Sequence, residues 1–160
     1  MMKIINDILG NQILITGAVC WLVAQVTKTI LYLIVNRQLR LERLVGDGGM
    51  PSCHSACVAG VATATALTQG LNSPLFAVAC VFAIIVMHDA MGVRQETGKQ
   101  ARIINDIVEE IRERGITIMS MSPEDRLKEF VGHTGTQVCV GAVIGIATAL
   151  IQHYVMYRAS

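Results

Sequence analysis

Charged side chains are scarce in this sequence of 160 residues: Asp, Glu, Lys and Arg make up 16%, against about 25% in soluble domains. Thirteen basic residues face twelve acidic ones, so the net charge of +1 offers no basic field for nucleic acid. Aromatic residues are also rare, at 4%, which argues against a base-stacking surface. Hydrophobic residues reach 52% and the mean hydropathy is +0.52. This composition excludes a disordered chain and favours a membrane protein.

The cysteines predict neither a disulfide framework nor a metal site. Their number, five, is odd, and the chain is not a small secreted scaffold. Cys53 and Cys57 could share a helix face close to His54 and His88, but no second pair of ligands follows at metal spacing. We therefore expect no metal ion and no cofactor.

Four apolar segments predict the fold: 13–35, 55–71, 74–93 and 134–156. A membrane-spanning helix needs about 20 mostly apolar residues, and these segments are long enough. We predict an all-α integral membrane bundle of about four transmembrane helices, forming one domain over residues 1–160. Small residues four apart would let its helices approach closely, namely Ala56, Gly60 and Ala64, and the pair Gly141 and Gly145.

One amphipathic cytoplasmic helix completes the predicted fold. Its apolar residues recur at i, i+3, i+4 and i+7, and they are Ile104, Ile107, Val108 and Ile111. We expect this helix to end at Gly115 and to lie on the membrane surface or against the bundle. Ser122 followed by Pro123 predicts that the last helix starts well before residue 133.

Basic residues are concentrated in two predicted loops and orient the protein. Residues 36–50 carry three and residues 94–132 carry seven, whereas the two tails carry only Lys3 and Arg158. The positive-inside rule places both loops in the cytoplasm and both termini outside. We expect a multi-pass protein of the plasma (inner) membrane. The sequence leaves the oligomeric state open, with a homo-oligomer as one option.

Ionisable and polar residues inside apolar segments are costly and commonly functional. Under the predicted topology they gather on the cytoplasmic side: Lys28, Ser52, His54, Ser55, His88, Asp89, Arg94, His133 and Gln137. Lys28 and Arg94 could clamp a dianion, and the helix that starts after Ser52 favours phosphate at its N-terminus. Two histidines can divide the nucleophile and general-acid roles, with Asp89 orienting one of them. Such a set suits phosphoryl transfer.

Packing and anchoring remain open as alternatives for several of these residues. Lys28 could extend its ammonium group to the membrane surface, and Arg94 could be a positive-inside anchor. His88 could sit at the interface, and Gln137 could join two helices by a hydrogen bond.

Three motifs in order carry a family resemblance: Gly-Gly-Met-Pro-Ser-Cys-His-Ser at 48–55, Asp-Ala-Met-Gly-Val-Arg at 89–94 and Gly-His-Thr at 132–134. They resemble the divergent membrane branch of the type 2 phosphatidic acid phosphatase and vanadium haloperoxidase superfamily. The resemblance implies a metal-independent phosphatase or diphosphatase of lipid phosphates. It assigns His133 as a nucleophile that forms a phosphohistidine, His54 as general acid, and Lys28 and Ser52 as phosphate ligands.

The sequence departs from the superfamily pattern at five positions. Val35 and Asn36 stand where the lysine motif ends in Arg-Pro, and Cys53 replaces the glycine of the histidine motif. Leu127 replaces an arginine six residues before the nucleophile, and Gln137 replaces an aspartate four residues after it. Asp89 and Arg94 are our candidates for the missing functions, with His88, Gln137 and Ser55 as support. The alternatives are a non-catalytic membrane module that retains a phosphate or lipid-headgroup pocket, and a small transporter that uses the buried charges as a relay.

Overall fold

The structure is a computed structural model, and it describes residues 1–37, 49–116, 126–127, 129 and 132–159. In this part of the chain all regular structure is helical, which confirms the predicted all-α class. The six helices are α1 (Met2–Leu9), α2 (Gln12–Asn36), α3 (Cys53–Gln69), α4 (Pro74–Met91), α5 (Val93–Glu113) and α6 (Gly135–Ala159). Helices α2, α3, α4 and α6 match the four predicted segments to within about one turn.

Short polar residues set the starts of the central helices. Asn11, Ser52 and Ser73 are the N-caps of α2, α3 and α4, and each accepts a backbone N–H of the first turn through its side-chain oxygen. These bonds satisfy donors that a helix N-terminus leaves without an intrahelical partner. Gly70, with a φ of 84°, follows the last residue of α3.

Helix α3 lies at the centre of the bundle, in contact with α2, α4 and α6. Its contact with α6 depends on the predicted glycine pair. A Cβ on Gly145 would overlap the carbonyl of Ala56, and one on Gly141 would overlap the carbonyl of Ser52. Gly60 on α3 is likewise in close contact with Cys20 of α2. Small residues thus bring the helix that carries His54 directly against its neighbours.

Three helices among the described residues are long and apolar enough to cross a membrane: Gln12–Asn36, the continuous stretch Pro74–Glu113, and Gly135–Met156. The sequence predicts about four. The remaining predicted segment, 55–71, forms α3, whose 17 residues span about 26 Å, slightly less than a hydrocarbon core of about 30 Å. The other three helices surround it. Side chains on α4, such as Val78 and Phe82, are more than half exposed, as in a helix that faces lipid.

The structure also differs from the predictions in two places. Helix α5 starts at Val93, directly after Gly92, so the amphipathic helix is longer than predicted. Ser122 and Pro123 lie outside the described residues, but Arg126 and Leu127 are not helical and α6 starts at Gly135. The prediction of an early start for the last helix is therefore wrong over this part of the chain.

Candidate functional site

The predicted site residues gather at one end of the bundle. This end contains the last turns of α2 and α4, the first turns of α3 and α5, and the residues just before α6. Consecutive helices of a bundle run in opposite directions, so motifs far apart in sequence reach the same end. The sequence predicted this convergence from its topology.

The rings of His54 and His133, from the first and third motifs, lie near each other. Their ring centroids lie 6.4 Å apart and the ring planes are inclined by 54°. At this separation the rings cannot share a hydrogen bond, but both can reach one small group placed between them. His133 is 4% exposed and His54 is half-buried, so the pair is largely shielded from solvent.

The backbone of His133 is fixed against the junction of α4 and α5. Its N–H donates to the carbonyl of Ala90 at 2.9 Å. The preceding Gly132 has a φ of 89°, and a Cβ there would lie 2.8 Å from the Cα of Gln95. Both the dihedral angle and the close approach require glycine. This explains physically why glycine precedes the histidine in the third motif.

Thr134 and Gln137 form a capping box at the start of α6. The Thr134 hydroxyl accepts from the N–H of Gln137 at 3.4 Å, and Oε1 of Gln137 accepts from the N–H of Thr134 at 3.2 Å. The threonine–x–x–glutamine spacing is a sequence signal for this arrangement. The predictions made from the motifs did not include it. Gln137 therefore stabilises the start of α6 and also lies within the site.

The same Gln137 oxygen assigns the tautomer of His133. Oε1 lies 3.2 Å from Nδ1 of His133. A backbone N–H can only donate, so the atom that Thr134 contacts is the amide oxygen, which can only accept. Nδ1 of His133 must then carry the proton. In the neutral ring this leaves the lone pair on Nε2, the atom a nucleophile needs, as assigned from the hydrogen-bond network.

The thiol of Cys53 lies between the buried Lys28 and His54. Lys28 is 3% exposed, and its Nζ lies 3.9 Å from Sγ of Cys53. The same sulfur lies 3.8 Å from Nδ1 of His54. The residue that departs from the superfamily glycine thus lies between the predicted phosphate ligand and the predicted acid.

Ser52 and Ser55 are fully buried at the N-terminus of α3. The Ser55 hydroxyl donates to Oγ of Ser52 at 3.0 Å. The N–H of Ser52 donates to the carbonyl of Gln137 at 3.1 Å, which ties α3 to α6. The N–H groups of Ser52 and Ser55 are therefore already engaged, whereas the positive end of the α3 dipole and Lys28 still favour an anion here.

The charged residues of the second motif lie at the exposed edge of the site. Nε of Arg94 donates to the carboxylate of Asp89 at 3.1 Å, and the two side chains are 46% and 45% exposed. Nδ1 of His133 contacts Gln137, and Asp89 contacts Arg94. His88 is exposed on α4. The structure brings Lys28, Cys53, His54 and His133 together, and leaves the Asp89–Arg94 pair beside them in contact with solvent.

Comparison with known proteins identifies the family. The family model described as Divergent PAP2 family matches residues 9–148, which include all three motifs. The chain belongs to the Divergent PAP2 family. It is 37% identical over 155 residues to an uncharacterized membrane protein, YuiD, of Bacillus subtilis (strain 168), covering 92% of this chain and 98% of the relative. No solved structure matches this chain. The resemblance drawn from the motifs is thus confirmed at the level of the family.

Proposed function

We propose that this member of the Divergent PAP2 family is a metal-independent phosphatase of lipid phosphates that works through a phosphohistidine. The observation that carries the proposal is the pair of histidines from separate motifs, facing each other at 6.4 Å beside the buried Lys28. The tautomer assigned to His133 supports it, because Nε2 is then ready to attack phosphorus.

The proposed reaction has two steps. In the first, Nε2 of His133 forms a bond to phosphorus while the bond from phosphorus to the lipid oxygen breaks. The electron pair of that bond goes to the oxygen, which takes a proton from His54 and leaves as the lipid alcohol. In the second, a water oxygen forms a bond to phosphorus while the bond from phosphorus to Nε2 of His133 breaks and its electron pair returns to Nε2. His54 accepts the proton of the water, and inorganic phosphate is released.

Binding of the phosphate relies on charge, because phosphoryl transfer needs mainly positioning and neutralisation. Lys28 supplies a cation in a poorly solvated place, and Ser52 lies at the positive end of the α3 dipole. Arg94 is proposed as the second cation, turning from Asp89 to the phosphate as a headgroup enters at the exposed edge. Three further residues are proposed to support the entry of the headgroup and the phosphate pocket, namely Asp89, His88 and Ser55.

The substrate in this proposal is a phosphorylated lipid within the bilayer. Candidates implied by the resemblance are phosphatidic acid, phosphatidylglycerol phosphate and polyprenyl diphosphates. We propose that the chain acts as one domain in the inner membrane, with both termini outside and the site at the cytoplasmic leaflet. The charge bias of the loops supports this orientation.

The test is phosphate release by the purified protein in detergent, measured on a panel of lipid phosphates. His133→Ala is expected to abolish release, and His54→Ala to lower it by about 10²–10⁴-fold, the usual contribution of a general acid. His153→Ala, near the far end of α6, is the matched control and should retain wild-type release. Vanadate should inhibit, because it mimics pentacoordinate phosphorus. Undiminished release by His133→Ala would remove the nucleophile assignment.

A specific observation also favours a second function, a non-catalytic module that binds lipid headgroups. The partner of His133 is the neutral Gln137, and an amide stabilises an imidazolium less than a carboxylate does. Leu127, at the position of a superfamily arginine, leaves the phosphate with one cation fewer. Vanadate binding without turnover on any lipid phosphate would select this function.

A further inference from the structure

Asn105 is a buried polar residue on α5 that no proposed step uses. It is 6% exposed, and with Gly98 and Ala101 it forms the buried stripe of α5 at helical spacing. Among the described helices α5 contacts only α4. The stripe is therefore covered by something other than a helix, and the hydrogen bonds of Asn105 show what covers it.

The side-chain amide of Asn105 holds the chain that leads to His133. Its Oδ1 accepts from the N–H of Leu127 at 3.1 Å, and its Nδ2 donates to the carbonyl of Leu127 at 3.0 Å. The same Nδ2 donates to Oε1 of Glu129 at 2.8 Å. One buried side chain thus satisfies both backbone groups of a residue outside any helix and orients a carboxylate as well.

Glu129 strengthens this attachment through charge. Its carboxylate lies 3.5 Å from a guanidinium nitrogen of Arg102 on α5 and 3.5 Å from one of Arg126. Its side chain is only 17% exposed, whereas both arginines are mostly exposed. The hydrogen bond from Asn105 therefore orients the acceptor of two ion pairs on the surface of α5.

The other end of this stretch is fixed at the α4–α5 junction, where Gly132 packs on Gln95 and His133 donates to Ala90. The five steps from Leu127 to Gly132 reach at most about 17 Å. The ten residues from Asn105 back to Gln95 cover about 15 Å of helix. Because the chain between Leu127 and Gly132 reaches only slightly farther than this distance, we expect a shift at Leu127 to move His133 as well.

We propose that Asn105 is a positioning residue for His133, holding Leu127 and Glu129 against α5 so that the imidazole of His133 faces His54. This proposal rests on the proposed phosphatase function for its catalytic consequence. Asn105 touches no substrate, and Lys28 and Ser52 lie on other helices. Loss of its amide should therefore lower kcat and leave KM unchanged.

Four variants test the proposal in nanodiscs. Asn105→Ala removes the amide, and Asn105→Asp keeps an acceptor for Leu127 but cannot donate to Glu129. The double variant Asn105→Asp with Glu129→Gln restores a hydrogen bond between the two side chains in the opposite direction. Asp106→Asn, at an exposed neighbouring position, is the matched control. We expect kcat to fall about tenfold or more in Asn105→Ala and Asn105→Asp and to recover partly in the double variant. It should stay unchanged in Asp106→Asn.

Hydrogen exchange gives a readout that does not depend on turnover. The backbone N–H groups of Leu127 and His133 both donate hydrogen bonds in the wild type. Asn105→Ala should therefore speed the exchange of both amide hydrogens about tenfold. Wild-type exchange at His133 in that variant would overturn the proposal, whatever its activity. If the wild type releases no phosphate, the proposed function fails, while the exchange result still decides the role of Asn105.

Discussion

The most informative single substitution is Gln137→Glu, which replaces the neutral partner of His133 by a carboxylate. The oxygen it changes lies 3.2 Å from Nδ1 of His133 and 3.2 Å from the N–H of Thr134. Glutamate serves in a capping box as glutamine does, and a negative charge is favourable at a helix N-terminus. The helix start and the tautomer of His133 should therefore survive the change.

The expected gain follows from the charge that develops during the reaction. Attack by Nε2 turns the His133 ring into a cation, and its Nδ1–H then donates to a carboxylate rather than to an amide. A hydrogen bond to a charged group contributes about 1.5–3 kcal/mol, against about 0.5–1.5 kcal/mol for a neutral one. The difference, of the order of 1.4 kcal/mol, corresponds to roughly a tenfold increase in kcat.

Phosphate release from the best lipid of the panel measures this effect. Thr136→Glu is the matched control, because it adds the same charge at an exposed position one residue earlier. Gln137→Met, which removes the oxygen, should lower kcat. The reasoning is refuted if Gln137→Glu folds normally without a gain in kcat, or if Thr136→Glu gains as much.

Three further predictions concern packing, pH and charge. Gly145→Val should lower the thermal unfolding temperature in detergent by several degrees, because overpacking costs about 1–3 kcal/mol, whereas Gly135→Ala, with ordinary contacts, should not. The hydrogen bond from Asn105, with nearby arginines, lowers the pKa of the Glu129 carboxyl. Its contribution to stability should be constant above about pH 5 and fall as the pH drops through the lowered pKa, and Glu129→Gln should remove that step in pH-dependent unfolding. Lys28→Met should weaken vanadate binding about tenfold or more in a titration, since it removes a buried charged donor while keeping the apolar stem; unchanged affinity would exclude Lys28 as a phosphate ligand.

Much of the fold follows from the sequence because its signals are local. The apolar lengths predicted α2, α3, α4 and α6. The spacing of small residues predicted that helices approach closely, and the structure shows such an approach between α3 and α6 at Gly145. The short helix α1 was missed because eight residues are too few for a segment count. Helix α5 was underestimated because its first turns are polar and show no apolar period.

The candidate site, like the fold, was predicted from the sequence only in part. The sequence placed Lys28, His54 and His133 at one end of the bundle, because alternating helices bring such positions together whatever their detailed packing. It did not indicate which side chains would pair. Nothing in its spacing shows that Cys53 would lie between Lys28 and His54, or that Asp89 would pair with Arg94 while Gln137 contacts His133.

The amino-acid sequence was enough to predict the helical membrane class, the long apolar helices, the family motifs and the end of the bundle where those motifs meet. These depend on composition and on periods along one chain. The tautomer of His133 and the hydrogen bonds of Asn105 to Leu127 and Glu129 became visible in the folded protein alone. Both depend on hydrogen bonds shorter than 3.5 Å, between groups whose approach is set by helix packing rather than by their own sequence neighbours.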